Sequence, residues 1–407
     1  MNTRRRLTVA LCLGASAAAA TAVALVAPAS AATPANPAGT GAVPASQFHA
    51  HAHGNERTCA EAKHGYAACQ ARVVTNDAGK PLVAATPAGY GPSDIRSAYN
   101  LGSASGSGKT VAIVDAYNDP TAASDLDKYR STYGLPACTA SSGCFRKVSQ
   151  TGSTTSLPAT DAGWATEISL DLDMVSAACP DCKILLVEAK TPSFANLATA
   201  VNYAASQGVA AISNSYGGSD SAASSAYDHP GIAITASTGD AGYGVESPAS
   251  YDTVIAVGGT SLNRSFTTRG WSESAWSGAG SGCSTMNAKP SWQTSATQCS
   301  GKANADVSAV ADPNTGVAVY DSTAYQGSSG WQVYGGTSAS SPIIASVYTM
   351  GGNLSGYPAS HTWATSGGLN DVTSGSNGSC SPAVWCTAGS GWDGPTGLGT
   401  PNGTGSF

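Results

Sequence analysis

The sequence predicts an α/β domain with a mostly parallel sheet covered by helices on both faces, and three observations predict it. Short continuous apolar runs, among them Val111-Ala112-Ile113-Val114 and Ile184-Leu185-Leu186-Val187, read as strands buried on both sides. Helix-length segments alternate with these runs. From about residue 87 to the end one large domain of about 320 residues remains, a size that single-domain α/β enzymes reach.

Taken in order, Val111 to Val114 is the first strand, Ala122 to Tyr133 a helix, and Ala162 to Ala178 a longer helix leading into the strand Ile184 to Val187. A helix over 192–206 follows, then strands at Val209 to Ser213, Ile232 to Ala236 and Val254 to Val257, and a last helix after Ser338. In such a sheet ligands collect at the carboxyl ends of the strands. Asp115, Glu188, Asn214 and Asp240 fall just beyond strand-like runs, and Asp115 and Glu188 read as ordinary strand ends or caps.

The beginning of the chain says where the protein is expected. Arg4-Arg5-Arg6, an Ala/Val/Leu stretch and Ala29-Ser30-Ala31 make residues 1–31 an export signal with a small-residue cleavage site, and the arginines leave twin-arginine export open. Its removal takes three of nineteen basic residues and no acidic one, leaving sixteen against 25, a net charge of −9 that argues against nucleic acid as a partner. No membrane association is expected once the signal is gone. Residues 32–86, rich in Ala, Pro and Gly without sustained apolar periodicity, read as a short leader or prosegment.

Only 11% of residues are charged, which limits self-repulsion when carboxylates protonate and suits a secreted, acid-tolerant protein. Ten cysteines remain after Cys12 leaves with the signal. They fall in sequence-local couples, Cys59/Cys69, Cys138/Cys144, Cys179/Cys182, Cys283/Cys299 and Cys380/Cys386, the natural reading of which is five short-loop disulfides. Cys179-Pro-Asp-Cys182 as a redox or zinc motif is the weaker reading, because no second CxxC or His pair lies nearby.

Gly336-Thr337-Ser338-Ala339-Ser340-Ser341-Pro342 sets a serine between small residues at the start of an apolar helix. Gly336 permits close approach of a substrate, Thr337 can cap the helix, and the positive helix end favours an oxyanion. An ordinary helix cap is the bland alternative. A serine nucleophile needs a base, yet in the body of the chain only His229, in an apparent turn, and His361, in a Ser/Thr-rich loop, remain, and both read as solvated loop residues.

Carboxylates are the other candidates. On the 162–178 helix, Glu167 and Asp171 are four residues apart and share one face, Ile168, Leu172 and Val175 occupy another, and Asp173 points elsewhere as a solvated partner. No lysine or arginine lies between Lys147 and Lys183 to neutralise the pair. If half buried, the two acids share a proton; if exposed, they are an acidic surface face. Asp240, in the glycine-flanked turn Ser237-Thr238-Gly239-Asp240-Ala241-Gly242, either caps a turn or, kept neutral, donates a hydrogen bond to an oxyanion.

Glu167-x-x-x-Asp171, Ser237 to Gly242 and Gly336-Thr337-Ser338-Ala339-Ser340-x-Pro342 resemble, in order and separation, the sedolisin family of serine-carboxyl peptidases, and the resemblance covers about residues 88–403. It implies a subtilisin-like α/β fold and an acid-acting endopeptidase on protein or peptide substrates. Ser338 is then the nucleophile, Glu167 its base, Asp171 the residue that orients Glu167, and protonated Asp240 the oxyanion donor. Asp371-Val372-Thr373-x-Gly375-x-Asn377-Gly378 and Ala388-Gly389-x-Gly391-Trp392-Asp393 resemble the family's calcium loop. One structural Ca²⁺ is implied, held by the side chains of Asp371 and Asp393 and the peptide oxygens of Val372, Gly389 and Gly391, since calcium takes six to eight hard oxygen ligands. A metal-free Gly-rich turn is the alternative.

The leader is much shorter than the long folded prodomain typical of the family. A monomer is expected. Two competing functions are a subtilisin-type protease using Asp115 and Ser338, disfavoured by the missing histidine motif, and a secreted binding or wall-associated protein on an inactive protease scaffold.

Overall fold

The computed structural model describes residues 42–407. The export signal expected at 1–31 and the first ten residues of the expected leader lie outside the described residues.

After the short helix α1 (Phe48–His51), the chain lays down three short strands, β1 (Gly54–Arg57), β2 (Ala68–Cys69) and β3 (Arg72–Thr75). Helix α2 (Pro92–Ala98) leads to β4 (Thr110–Ala116), α3 (Ala122–Thr132), β5 (Phe145–Ser149), α4 (Ala162–Ala178), β6 (Lys183–Ala189) and α5 (Phe194–Ala205). Next come β7 (Ala211–Asn214), β8 (Tyr216–Ser219), β9 (Ala233–Ser237), β10 (Glu246–Ser247), β11 (Ile255–Arg264) and β12 (Trp271–Ala275). The last stretch carries β13 (Gly282–Ala288), β14 (Gly301–Asn304), β15 (Val307–Val310), β16 (Val317–Tyr325), β17 (Ser328–Gly335), α6 (Thr337–Gly351) and α7 (Pro358–Ala364).

An eight-stranded sheet forms the centre, in the order β12-β11-β9-β7-β4-β6-β5 with β15 also paired to β11. Every pairing in it is parallel except β11 with β12. The alternation of side chains along a strand divides the core. Val111 and Ile113 of β4 pack with Ile168 of α4 and Ile343 of α6, whereas Ala112 and Val114 pack with Leu197 and Val201 of α5 on the other face. All the expected strands and helices of the central layer are present, with boundaries shifted by a few residues. Strand β5 was not legible, because at the sheet's edge it carries the exposed Arg146 and the half-buried Lys147 in place of a continuous apolar run.

A second, antiparallel sheet runs β1-β3-β17-β16. Helix α4 lies between it and the central layer, touching β16 as well as β4 and α6. Sixteen of the seventeen α4 residues are buried as a result, and the expected solvent-facing side does not exist. Asp173, expected to be solvated, is 1% exposed and accepts the Tyr320 N–H at 2.9 Å.

Residues 42–86 are built into this body. Strands β1 and β3 extend the second sheet, and β2 adds antiparallel to β8. Phe48, Val74, Leu82 and Ala84 form an apolar cluster with Tyr129, Trp331 and Val333. All five sequence-local cysteine couples are disulfides, so Cys179 and Cys182 offer no thiolate to a metal.

Candidate active site

Ser338 is the second residue of α6, and what precedes it sets its position. Gly336 has φ 100°, a conformation open to glycine, and a Cβ there would collide with the Gln70 carbonyl oxygen and come within 2.6 Å of Asp240 Oδ2. The N-cap is therefore Gly336, with no side-chain cap. Thr337, expected to cap, instead joins Asp240 to the helix: its N–H and Oγ1–H donate to Asp240 Oδ1 at 2.8 and 2.9 Å. Ser338 is fully buried, and its hydroxyl donates to the Ser215 carbonyl at 3.2 Å.

Glu167 and Asp171 reach the same place from α4, both with no exposure. Asp171 accepts the Ser215 hydroxyl at 2.7 and 2.8 Å, so Ser215, between β7 and β8, bonds both Asp171 and, through its carbonyl, Ser338. Neither Glu167 oxygen closes a hydrogen bond of normal geometry, although the Ser338 hydroxyl and the Ala71 N–H face it. Burial, then the charge of Asp171, pushes Glu167 well above the usual carboxylate range. Burial raises Asp171 likewise, opposed by the Ser215 hydrogen bond.

Asp240 stands opposite with Oδ1 bonded to Thr337 and Oδ2 buried without a partner. Burial raises it to about 6, while the Thr337 amide and the Arg57 guanidinium pull the other way. The free oxygen and the Gln70 carbonyl oxygen converge on the small volume that a Gly336 side chain would fill. The structure thus brings Glu167, Asp171, Asp240 and Ser338 together.

Two neighbours were not assigned to this carboxylate site by the sequence reading. Ser215 follows the β7 run but sits in no sequence pattern that names a positioning residue. Asp115, read as a strand end, is fully buried with both oxygens unpartnered, and burial together with Asp171 and Glu167 pushes it well up. Glu188 does behave structurally: it accepts the Asp119 N–H at 3.0 Å and pairs with Lys147 at 3.5 Å. Asn214 does so too, bonding Thr235 and Tyr216. The histidines bond elsewhere, His229 to Asn202 and His361 to the Gly405 carbonyl, and His361 lies on α7 rather than in a loop.

At the C-terminal end, Asp371 Oδ2 accepts the Gly391 N–H at 3.0 Å and Asp393 Oδ2 the Gly389 N–H at 3.1 Å. Asp393 is buried and raised to about 7, first by burial and also by the charge of Asp371. Two like-charged carboxylates are therefore drawn to one glycine loop next to buried Val372, a donor set of hard oxygens that fits a divalent cation such as calcium.

The profile of the subtilase family matches residues 162–363. Kumamolisin from Bacillus sp. (strain MN-32) is 29% identical over 364 residues, covering 78% of this chain and 63% of that protein. Sedolisin from Pseudomonas sp. (strain 101) is 29% identical over 380 residues, covering 81% and 62%. The chain thus spans somewhat under two thirds of the length of the curated relatives it matches. Among solved structures, Pseudomonas sedolisin, a serine-carboxyl proteinase complexed with two molecules of pseudo-iodotyrostatin, superposes with a TM-score of 0.65 at 27% identity, over 78% of this chain and 96% of that one.

The fold is of the subtilisin-like α/β class, with carboxylates and no histidine side chain gathered around Ser338 among the described residues. The relatives it matches and the superposed solved structure place its similarity with the sedolisin peptidases.

Proposed function

We propose that the protein is a secreted serine-carboxyl endopeptidase that hydrolyses peptide bonds in acid. The observation that carries this reading is the burial of Glu167 and Asp171 side by side beside Ser338, with Asp240 presenting an unpartnered carboxyl oxygen across from them. A base of this kind takes the Ser338 proton as Oγ adds to the scissile carbonyl, then delivers it to the leaving amine. Asp171, anchored by Ser215, orients Glu167 and shares the proton load of the pair. Protonated Asp240 donates from Oδ2 to the developing oxyanion, a role it loses on ionising.

Acid action follows from the same groups. With Asp240 at about 6, its carboxyl keeps the proton in acid and surrenders it toward neutral pH. The export-signal pattern at 1–31 supports secretion, and among the described residues no helix is long and apolar enough to cross a membrane. One structural Ca²⁺ held by Asp371 and Asp393, with the peptide oxygens of Val372, Gly389 and Gly391, would neutralise the acids of the C-terminal loop. We further propose that the protein acts as a monomer, with proteins or peptides as its partners.

The experiment is cleavage of a denatured-protein or peptide library across acidic to neutral pH. Serine-dependent cleavage confined to acid is expected. A folded protein without cleavage at any pH would favour the binding-scaffold alternative, and neutral-pH activity abolished by His229→Ala would favour a subtilisin-type mechanism.

A further inference from the structure

Helix α4 carries a second polar stripe, on a different side from Glu167 and Asp171. Thr166, Ser169 and Asp173 stand three and four residues apart, so they share a face. All three are buried, and each is bonded outside the helix: Thr166 to Asp321 Oδ2 at 2.9 Å, Ser169 to Asp119 Oδ2 at 3.3 Å, and Asp173 to the Tyr320 N–H at 2.9 Å. Their partners come from β16 and from the turn between β4 and α3. With Asp125 of α3, four carboxyl groups, Asp119, Asp125, Asp173 and Asp321, meet here with at most 3% exposure.

The hydroxyl hydrogens do not suffice for these contacts unless carboxyl groups supply some. Thr166 has a single O–H, and its Oγ1 stands 3.0 Å from the Ala162 carbonyl oxygen and 2.9 Å from Asp321 Oδ2. A carbonyl brings no hydrogen. Both contacts close only when Thr166 donates to Ala162 and Asp321 Oδ2–H donates to Thr166. The other Asp321 oxygen, Oδ1, accepts the Thr323 N–H at 2.8 Å, which fits a neutral acid with one donating and one accepting atom. The shortage recurs beside it. Thr121 and Thr323 bring two hydroxyl hydrogens to four contacts: Thr121 with Asp119 at 3.0 Å, with Asp125 at 2.6 Å and with Thr323 at 2.8 Å, and Thr323 with Asp119 at 3.1 Å.

No cation takes the place of the missing protons. Among the described residues none of the four acids has a lysine, arginine or histidine nitrogen within 4.0 Å. Lys147 of β5 pairs with Glu188 and donates to the Asp119 carbonyl, Arg130 of α3 donates to the Pro136 carbonyl and to Ser176, and Lys128 of α3 lies over the Tyr320 ring. Tyr334 of β17, which also faces Asp321, donates to Gln332 at 2.6 Å.

We propose that Asp321 is a positioning residue for Glu167: as a neutral acid it clasps Thr166, the residue before the base, and so holds the base beside Ser338. The proposal rests on the serine-carboxyl reading above. Burial, and then the charge of Asp119, hold Asp321 up at about 8, so in acid the clasp is closed. Loss of the proton leaves Thr166 between two acceptors and sets a charge among Asp119, Asp125 and Asp173, and α4 comes away from β16. This step lies above the range in which Asp240 surrenders its proton, and it acts on the helix rather than on the oxyanion. Asp321 touches no substrate; it sets where the base stands, and a displaced base costs rate rather than binding.

The test compares wild type, Asp321→Asn, Asp321→Ala and Thr166→Val in hydrolysis of one peptide in acid, before and after exposure to pH ~8, with thermal melting of each in acid. Asp321→Ala and Thr166→Val break the clasp and are expected to lower kcat about tenfold or more while KM changes by less than about twofold. Asp321→Asn keeps a donor for Thr166 and an acceptor for Thr323 but does not ionise. It is expected to restore kcat to within about threefold of wild type and, held at pH ~8, to lose the activity recoverable in acid about tenfold more slowly. Should Asp321→Ala fail to fold, Thr166→Val and Asp321→Asn decide. Wild-type kcat in Thr166→Val, or inactivation of Asp321→Asn as fast as wild type, would overturn this inference alone. No hydrolysis by the wild type at any pH would overturn it together with the peptidase reading.

Discussion

Two regions of this molecule press acidic side chains together, and they deal with the repulsion in opposite ways. At the candidate active site Glu167, Asp171 and Asp115 are fully buried, and burial raises all three well above their ordinary range. The remedy there is a proton. At the C-terminal loop Asp371 is exposed and Asp393 buried, and both are bonded to glycine amides. The remedy proposed there is a divalent cation. The proposed functions differ accordingly, a proton-sharing base where the pair is buried and a metal site where one acid reaches the surface.

The comparison breaks most visibly at Asp240. Asp240→Ala removes the oxyanion hydrogen-bond donor and should lower kcat in acid by roughly 10²–10³-fold, while the fall of activity toward neutral pH becomes shallower because alanine does not ionise. A pH–rate profile checks this; an unchanged profile would take Asp240 out of the oxyanion role.

The C-terminal loop gives the next effect. If it holds calcium, chelation should destabilise the fold by about 2.7 kcal/mol relative to a free-ion concentration one hundred times Kd. Asp371→Asn should weaken calcium binding, read by titration calorimetry. A melting temperature indifferent to both calcium and chelator would leave the loop a metal-free turn.

The smallest effect sharpens the proton side. Burial raises Asp240 to about 6, Glu246 to about 7 and Asp321 to about 8. Folded values above unfolded ones mean that the stability these groups allow is fully present below the ordinary carboxylate range. It is lost as pH rises through the folded values, because the unfolded chain releases protons that the folded chain retains. The melting temperature should therefore be highest near pH ~4 and decline by several degrees toward pH ~8, as expected for a stability change of a few kcal/mol. Differential scanning calorimetry across that window at fixed calcium reads it; a rise toward neutral pH would contradict the assignment.

Much of the centre was legible because its signals are local. Four-residue spacing on a helix brings Glu167 and Asp171 together, and a glycine-flanked turn and a glycine before a helix each announce a group that needs room. What was not legible depends on distant partners. The single-faced picture of α4 failed because β16, about 150 residues further on, covers the side where Asp173 lies. The 42–86 segment looked featureless because β3 finds its partner in β17, and Gln70 finds Glu246 at a separation of 176 residues. Asp115 was discounted because strand-end acids are common, and only burial without a hydrogen bond marks it out.

The central claim is that a buried carboxylate replaces histidine as the base for Ser338. Its most direct test is cleavage of a defined peptide across acidic to neutral pH by the wild type, Ser338→Ala and Glu167→Gln, each verified as folded. Cleavage confined to acid and reduced about 10³-fold or more by either substitution is the predicted result. Cleavage that survives Glu167→Gln, or that peaks at neutral pH, would contradict it.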